Sequence, residues 1–126
     1  MKYITIFIFL MFSEATFAKG RCVDDSLCSV SIIHLTANPD LYHGKDVIVR
    51  GFFHHDEGRY FLYLDADKAK YGFIEYGLVL DMSSYEGEIE RIENNSYLLI
   101  QGAFDKDDWG AMGVPPLGTI LVSRVQ

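Results

Sequence analysis

Basic residues are scarce in this chain. Its 126 residues include 11 Lys and Arg against 18 Asp and Glu, so the formal net charge is −7. Nucleic-acid backbones and anionic membranes bind surfaces with a surplus of positive charge, and this balance counts against both as partners. The chain is 49% hydrophobic and 14% aromatic, which excludes a disordered acidic tail. Its length suits one domain.

Long apolar runs are absent except near the N-terminus. Residues 1–18 contain one Lys, an apolar run over residues 4–12, and small residues at Thr16 and Ala18. This layout is typical of a secretory signal peptide, and the run is about half of the roughly 20 residues that a transmembrane helix needs. We therefore predict cleavage after Ala18 and a periplasmic or secreted protein without a membrane span. The alternative is an uncleaved amphiphilic anchor.

Cysteines are few, and both follow the predicted cleavage site. Cys22 and Cys28 lie in an N-terminal segment, residues 19–30. In an oxidising compartment they are expected to form a disulfide. The disulfide would close a small loop and therefore stabilise the fold by only about 2 kcal/mol. Its expected role is to hold the N-terminal segment in place. A redox pair is the alternative, which the spacing disfavours, and no matching histidine pair indicates zinc.

Residues 31–126 form one predicted domain, because no repeat, low-complexity run or linker divides them. Asn38-Pro39 ends a predicted helix over residues 29–38, and a turn follows over residues 40–44. A second helix is predicted over residues 84–93, with Ser84 as its N-cap. Alternating apolar residues predict five strands, over residues 45–54, 59–65, 77–82, 97–104 and 118–125.

The first of these strands contains a glycine, Gly51, which marks a bulge or a sharp bend. Five strands, a bent first strand and a helix between strands 3 and 4 match an OB-fold barrel. A β-sandwich would need about seven strands. We therefore predict a mainly β fold: a five-stranded, OB-fold-like Greek-key barrel with a short N-terminal helix.

Residues 31–53 contain Asn38-Pro39, Tyr42 and Gly44-Lys45 ahead of this glycine-bent strand. The stretch resembles the opening of a family of small exported bacterial OB-fold proteins. Residues 110–113 and 118–120 resemble the ending of the same family. The resemblance implies the fold and the exported location. It implies no catalytic residues, because the family has no agreed activity.

No residue pattern in the chain dictates a reaction. The serines lack the Gly-x-Ser-x-Gly turn, and no glycine-rich phosphate loop is present. The acids of residues 84–93 are typical of a solvated face. We predict that the protein is not an enzyme and that it has no cofactor.

Two segments contain potential metal ligands. His54, His55 and Asp56 could hold a transition metal at a hairpin tip, but neighbouring strand residues point to opposite faces, which favours a solvated turn. Residues 105–110 begin like a calcium loop. The loop then has Trp109 at its fifth position and Pro116 at its twelfth, where calcium loops place ligands. We predict no metal site.

An OB-fold usually binds its ligand across its second and third strands and the adjoining loops. Aromatic side chains there could stack on bases or sugars. The apolar loop over residues 109–117 either plugs the barrel end or forms an exposed patch that docks a partner. The predicted ligand-binding residues are Phe61, Tyr63, Asp81, Arg59, Trp109 and Met112.

These observations together predict an exported, non-catalytic OB-fold binding module, an adaptor or inhibitor that recognises a protein, peptide or glycan partner. One alternative is a single-stranded oligonucleotide binder that uses Tyr63 and Arg59. A second, less favoured alternative is a metal-dependent enzyme that uses His54, His55 and Asp56.

Overall fold

The computed structural model of the chain describes residues 21–23, 26–110 and 115–126. The predicted signal peptide, residues 1–18, and the predicted ligand residue Met112 lie outside the described residues. Within these ranges the chain is mainly β, with seven strands in one mixed sheet and short helices. No helix in the described ranges is long and apolar enough to cross a membrane.

Five of the seven strands correspond to predicted ones, with ends that differ by up to two residues. The two N-terminal strands and the third helix were not predicted. A short helix over residues 39–42 occupies most of the predicted turn over residues 40–44. The strands are β1 (Arg21–Val23), β2 (Leu27–Ser29), β3 (Asp46–Asp56), β4 (Arg59–Tyr63), β5 (Gly77–Asp81), β6 (Ser96–Asp105) and β7 (Thr119–Val125). The helices are α1 (Ile32–Ala37), α2 (Pro39–Tyr42) and α3 (Ala66–Lys70), with 3₁₀ turns at Ile74–Tyr76 and Ile89–Arg91.

The longest strand, β3, organises the sheet. Its first residues pair in parallel with β2, its last residues pair antiparallel with β4, and most of its length pairs antiparallel with β6. β5 is antiparallel to β4 and parallel to β7, and β7 is antiparallel to β6. β1 pairs antiparallel with β2 at the edge of the sheet.

Gly51 lies near the point where β3 passes from β2 to β4. A Cβ atom there would lie 2.6 Å from Leu62 Cγ, 2.8 Å from the Tyr63 carbonyl oxygen and 2.9 Å from Ile32 Cδ1. These distances are far below van der Waals contact, so the close approach of β4 and α1 requires glycine at this position. The hairpin predicted after this strand is confirmed, because Glu57 and Gly58 both have positive φ, 50° and 77°.

The helix predicted over residues 84–93 is wrong. The connection from β5 to β6 is irregular and contains only the 3₁₀ turn at Ile89–Arg91. Ile89 and Ile92 are half-buried and pack against the hydrophobic core between the strands, which holds the segment in place. Gly87 and a run of like-charged glutamates oppose a longer helix.

The main core lies between the inner faces of the strands. α1 closes one side of this core with Ile32 and Leu35, and α2 contributes Tyr42, which is 1% exposed. Ser31 is the N-cap of α1, and its Oγ accepts a hydrogen bond from the His34 amide at 3.0 Å. The strand residues of this core include Val47, Val49, Phe53, Leu62, Leu78, Leu80, Ile100, Phe104, Ile120 and Val122.

The predicted disulfide between Cys22 and Cys28 is present. The two residues are also directly paired across β1 and β2. Cys28 is fully buried in the main core, whereas Cys22 is exposed. The bond therefore ties the edge strand β1 to the core and fixes the position of its neighbour, Arg21.

Candidate functional site

The predicted ligand face of β4 is covered in the structure. Phe61 and Tyr63 are 7% and 4% exposed and form a second cluster with Ala69 of α3 and with Ile74. Asp65 caps α3 by accepting a hydrogen bond from the Lys68 amide at 2.9 Å. The segment between β4 and β5, which contains α3 and the 3₁₀ turn at Ile74–Tyr76, therefore folds over this face. In this packing neither ring is exposed for stacking on a base or a sugar.

The other predicted ligand residues that the structure describes, Arg59, Asp81 and Trp109, lie at exposed positions. Arg59 is exposed in the β3–β4 hairpin, and Trp109 is 49% exposed. Asp81 is exposed at the end of β5, where its Oδ1 accepts a hydrogen bond from the Ser83 amide at 3.0 Å. Gly110, next to Trp109, lies close to β5, because a Cβ atom at Gly110 would lie 2.7 Å from Val79 Cγ1.

The burial of Tyr63 has a measurable consequence at high pH. Burial raises the pKa of its phenol, and the negative charge of Glu75 raises it further. The folded state therefore binds this proton more tightly than the unfolded state does. The resulting stability is present below the unfolded pKa of about 10 and is lost as the pH rises through the higher folded pKa.

The free energy of unfolding of the wild type should decrease as the pH rises from about 9 to about 12. We expect this decrease to be smaller in Tyr63→Phe, which lacks the titrating phenol. Urea denaturation at stepped pH measures this slope. Tyr71→Phe is the matched control, because the Tyr71 ring is 63% exposed. The assignment to Tyr63 is wrong if both variants keep the wild-type slope.

His54 and His55, which the metal-dependent alternative would use as ligands, lie on opposite faces of the β3–β4 hairpin. The His54 ring lies beside Tyr63 of the second cluster, and the His55 ring lies beside Tyr60, which packs against the main core. His54 Nδ1 is 2.7 Å from Asn95 Oδ1. The structure therefore does not bring the two imidazoles together around one position.

One group of metal-type ligands does converge among the described residues: His43, Asp105 and Asp107, all exposed. The backbone amide of Lys106 donates to His43 Nδ1 at 3.2 Å. The Lys106 ammonium lies 3.2 Å from Asp107 Oδ1 and 3.3 Å from Asp40 Oδ1. Hydrogen bonds to these two carboxylates raise the Lys106 pKa. The arrangement is an ion-pair network.

A cleft of about 760 Å³ opens beside α1, where β1, β2, β3 and β6 lie side by side. Alternation along β3 buries Val47 and Val49 and turns Ile48 and Arg50 outward. The strand register places Ser29 between Ile48 and Arg21. We call this site the arginine cleft, and its lining residues are Arg21, Ser29, Val30, Ser31, His34, Ile48, Arg50, Gly51, Leu64, Tyr97 and Leu99.

The charge of the arginine cleft is opposite to that of the whole chain. Arg21 and Arg50 line it, and none of its lining residues is acidic. Both arginines are exposed, and neither lies within 4 Å of a carboxylate of the described residues. Arg124 extends the positive surface through a smaller adjoining cleft that shares Ile48 and Leu99. Three of the five arginines of a chain with a net charge of −7 therefore lie along one face.

The polar groups of the arginine cleft differ in how they are engaged. The Tyr97 side chain is 57% exposed, with its ring edge-on to Phe52 and its hydroxyl accepting a hydrogen bond from the Ala66 amide at 3.3 Å. The half-buried His34 ring packs edge-on against Tyr42. Its Nε2 is buried with no hydrogen-bond partner among the described residues. A buried nitrogen without a hydrogen-bond partner is unusual in a folded protein.

The sequence did not point to the arginine cleft, because two of its lining residues, Arg21 and Ser29, come from β1 and β2, which were not predicted. The available signal was Arg50, an arginine at an outward position within the otherwise apolar run of residues 47–53. Comparison of the chain with protein-family models, with curated proteins and with solved structures found no match. The geometry of the cleft is therefore the basis on which its function is inferred.

Proposed function

We propose that this chain is an exported, non-catalytic OB-fold binding module, an adaptor or inhibitor that holds a protein, peptide or glycan partner in the arginine cleft. The observation that carries the proposal is a concave site with two arginines and no acid in its lining, on a protein that is acidic overall. Clefts of about 300–1,000 Å³ with a few convergent polar groups are typical of ligand sites.

The strand pairing supports the OB-fold part of the proposal. From β3 the pairing runs to β4, β5, β7 and β6, and β6 pairs again with β3. A cycle of five strands with one parallel pair, β5 with β7, is the arrangement expected of a small Greek-key barrel. The resemblance of residues 31–53 to small exported OB-fold proteins agrees with it.

The chemistry of the cleft favours binding over catalysis. Catalysis by a serine requires its hydroxyl to be activated by a nearby base, whereas Ser31 Oγ is used as the N-cap of α1. Arginine is permanently protonated and serves as a fixed positive charge. The disulfide that positions Arg21 is of the kind that persists in oxidising compartments, which supports export.

Photocrosslinking in the native host tests this function. A benzophenone amino acid at position 97 is expected to give a discrete adduct that Arg50→Glu decreases at least tenfold, because a reversed charge repels the same partner. Position 71 is the matched control, since Tyr71 is similarly exposed at the end of α3 but does not line the cleft. Equal labelling from both positions, or labelling that Arg50→Glu leaves unchanged, would overturn the proposal.

A further inference from the structure

We infer that the occupant of the arginine cleft is an acidic peptide segment of a partner protein, with a carboxylate bound by Arg50 and Arg21 and an aliphatic side chain on the floor between them. This inference rests on the proposed function and names the ligand class of the same site.

The carboxylate follows from the two arginines. A guanidinium offers five N–H donors in a planar fork that matches a carboxylate and cannot lose its charge. The described residues supply no acidic partner to either group. Because the chain as a whole repels anions, a local face with Arg21, Arg50 and Arg124 is where an acidic segment meets a favourable field.

The peptide follows from the rest of the lining. Val30, Ile48, Leu64 and Leu99 form an aliphatic floor, and the exposed Tyr97 ring stands beside it. Arginine and tyrosine around an apolar centre are typical of protein–protein contacts. A carboxylated sugar would place hydroxyl groups against this floor without hydrogen-bond partners. Bound single-stranded nucleic acid usually stacks successive bases on several rings, and Tyr97 is the one such ring in the lining.

Two synthetic peptides of equal length test the ligand class. Acetyl-Leu-Glu-Leu-Glu-Leu-amide is compared with the same peptide in which glutamine replaces both glutamates. Titration into the ¹⁵N-labelled protein at low salt is expected to show at least tenfold tighter binding of the glutamate peptide, with shifts at Ser29, Arg50 and Leu99. Arg50→Gln should abolish this preference. Arg91→Gln, at an exposed arginine outside the cleft, should retain it.

Two further probes, trigalacturonate and an oligothymidylate, distinguish other sources of negative charge. Tighter Arg50-dependent binding of either one than of the glutamate peptide would overturn the peptide assignment. If no anion binds in an Arg50-dependent way while the crosslink from position 97 persists, the ligand class is wrong and the proposed function stands. If that crosslink is also absent, both are wrong.

Discussion

Gly102→Ala is expected to destabilise the protein by about 3 kcal/mol, at the upper end of the usual cost of overpacking a buried site. Gly102 is buried in β6 beside an irregularity in the pairing with β7. An added Cβ would overlap the Leu121 carbonyl oxygen and lie 2.8 Å from Ile120 Cγ2. Because the main obstruction is backbone, rotation of a side chain cannot relieve it. The measurement is the free energy of unfolding from urea denaturation.

Gly44→Ala is the matched control for Gly102→Ala. Gly44 has φ +77° and open space around the position of a Cβ atom, so its alanine variant carries only backbone strain, about 1 kcal/mol. The difference between the free energies of unfolding of the two variants gives the cost of the contact between the added Cβ atom and β7. If Gly102→Ala unfolds at the same urea concentration as Gly44→Ala, the close pairing described here for β6 and β7 is incorrect.

Ile74→Ala is expected to cost about 3 kcal/mol, which is within the usual range for truncation of a buried isoleucine. Ile74 is 7% exposed and belongs to the second cluster, outside the main core. Its truncation removes part of the cover over Phe61 and Tyr63. Urea denaturation measures the cost, and binding of a hydrophobic dye reports whether the two rings become accessible.

Ile33→Ala provides the comparison for this truncation. The Ile33 side chain is 67% exposed on α1, so the same chemical change there should alter stability by no more than about 0.5 kcal/mol. Equal costs at the two positions would show that α3 and the 3₁₀ turn do not seal the face of β4. That face would then be open to the ligand that the sequence assigned to it.

The five predicted strands were recognisable in the sequence because apolar residues recur at every second position over short runs. Val47, Val49 and Phe53 on β3 show this pattern, and such a pattern can be satisfied by a strand with one face on a core. The disulfide was predictable from two cysteines in a chain whose sequence predicts export. The helix predicted over residues 84–93 is absent, because local propensity could not account for Ile89 and Ile92 packing against the core from an irregular segment.

The ligand residues were harder to predict than the strands. Tyr63 and Phe61 were assigned to a ligand-binding face because an OB-fold usually binds across its second and third strands, and this rule does not say what covers that face. α3 is five residues long and leaves little helical periodicity in the sequence. Arg21 and Arg50 are 29 positions apart in the chain, and only the pairing of β1, β2 and β3 brings them to one cleft.

The sequence by itself determined the acidic charge, the cysteine pair, the mainly β character and the positions of five strands. These properties depend on composition or on contacts between near neighbours in the chain. Tertiary structure decided which outer face is covered and where positive charge collects, because both depend on the docking of short segments with weak local signals. β1 and β2 extend the sheet at Arg21, and α3 closes it over Tyr63. These two contacts move the candidate site from β4 to the arginine cleft.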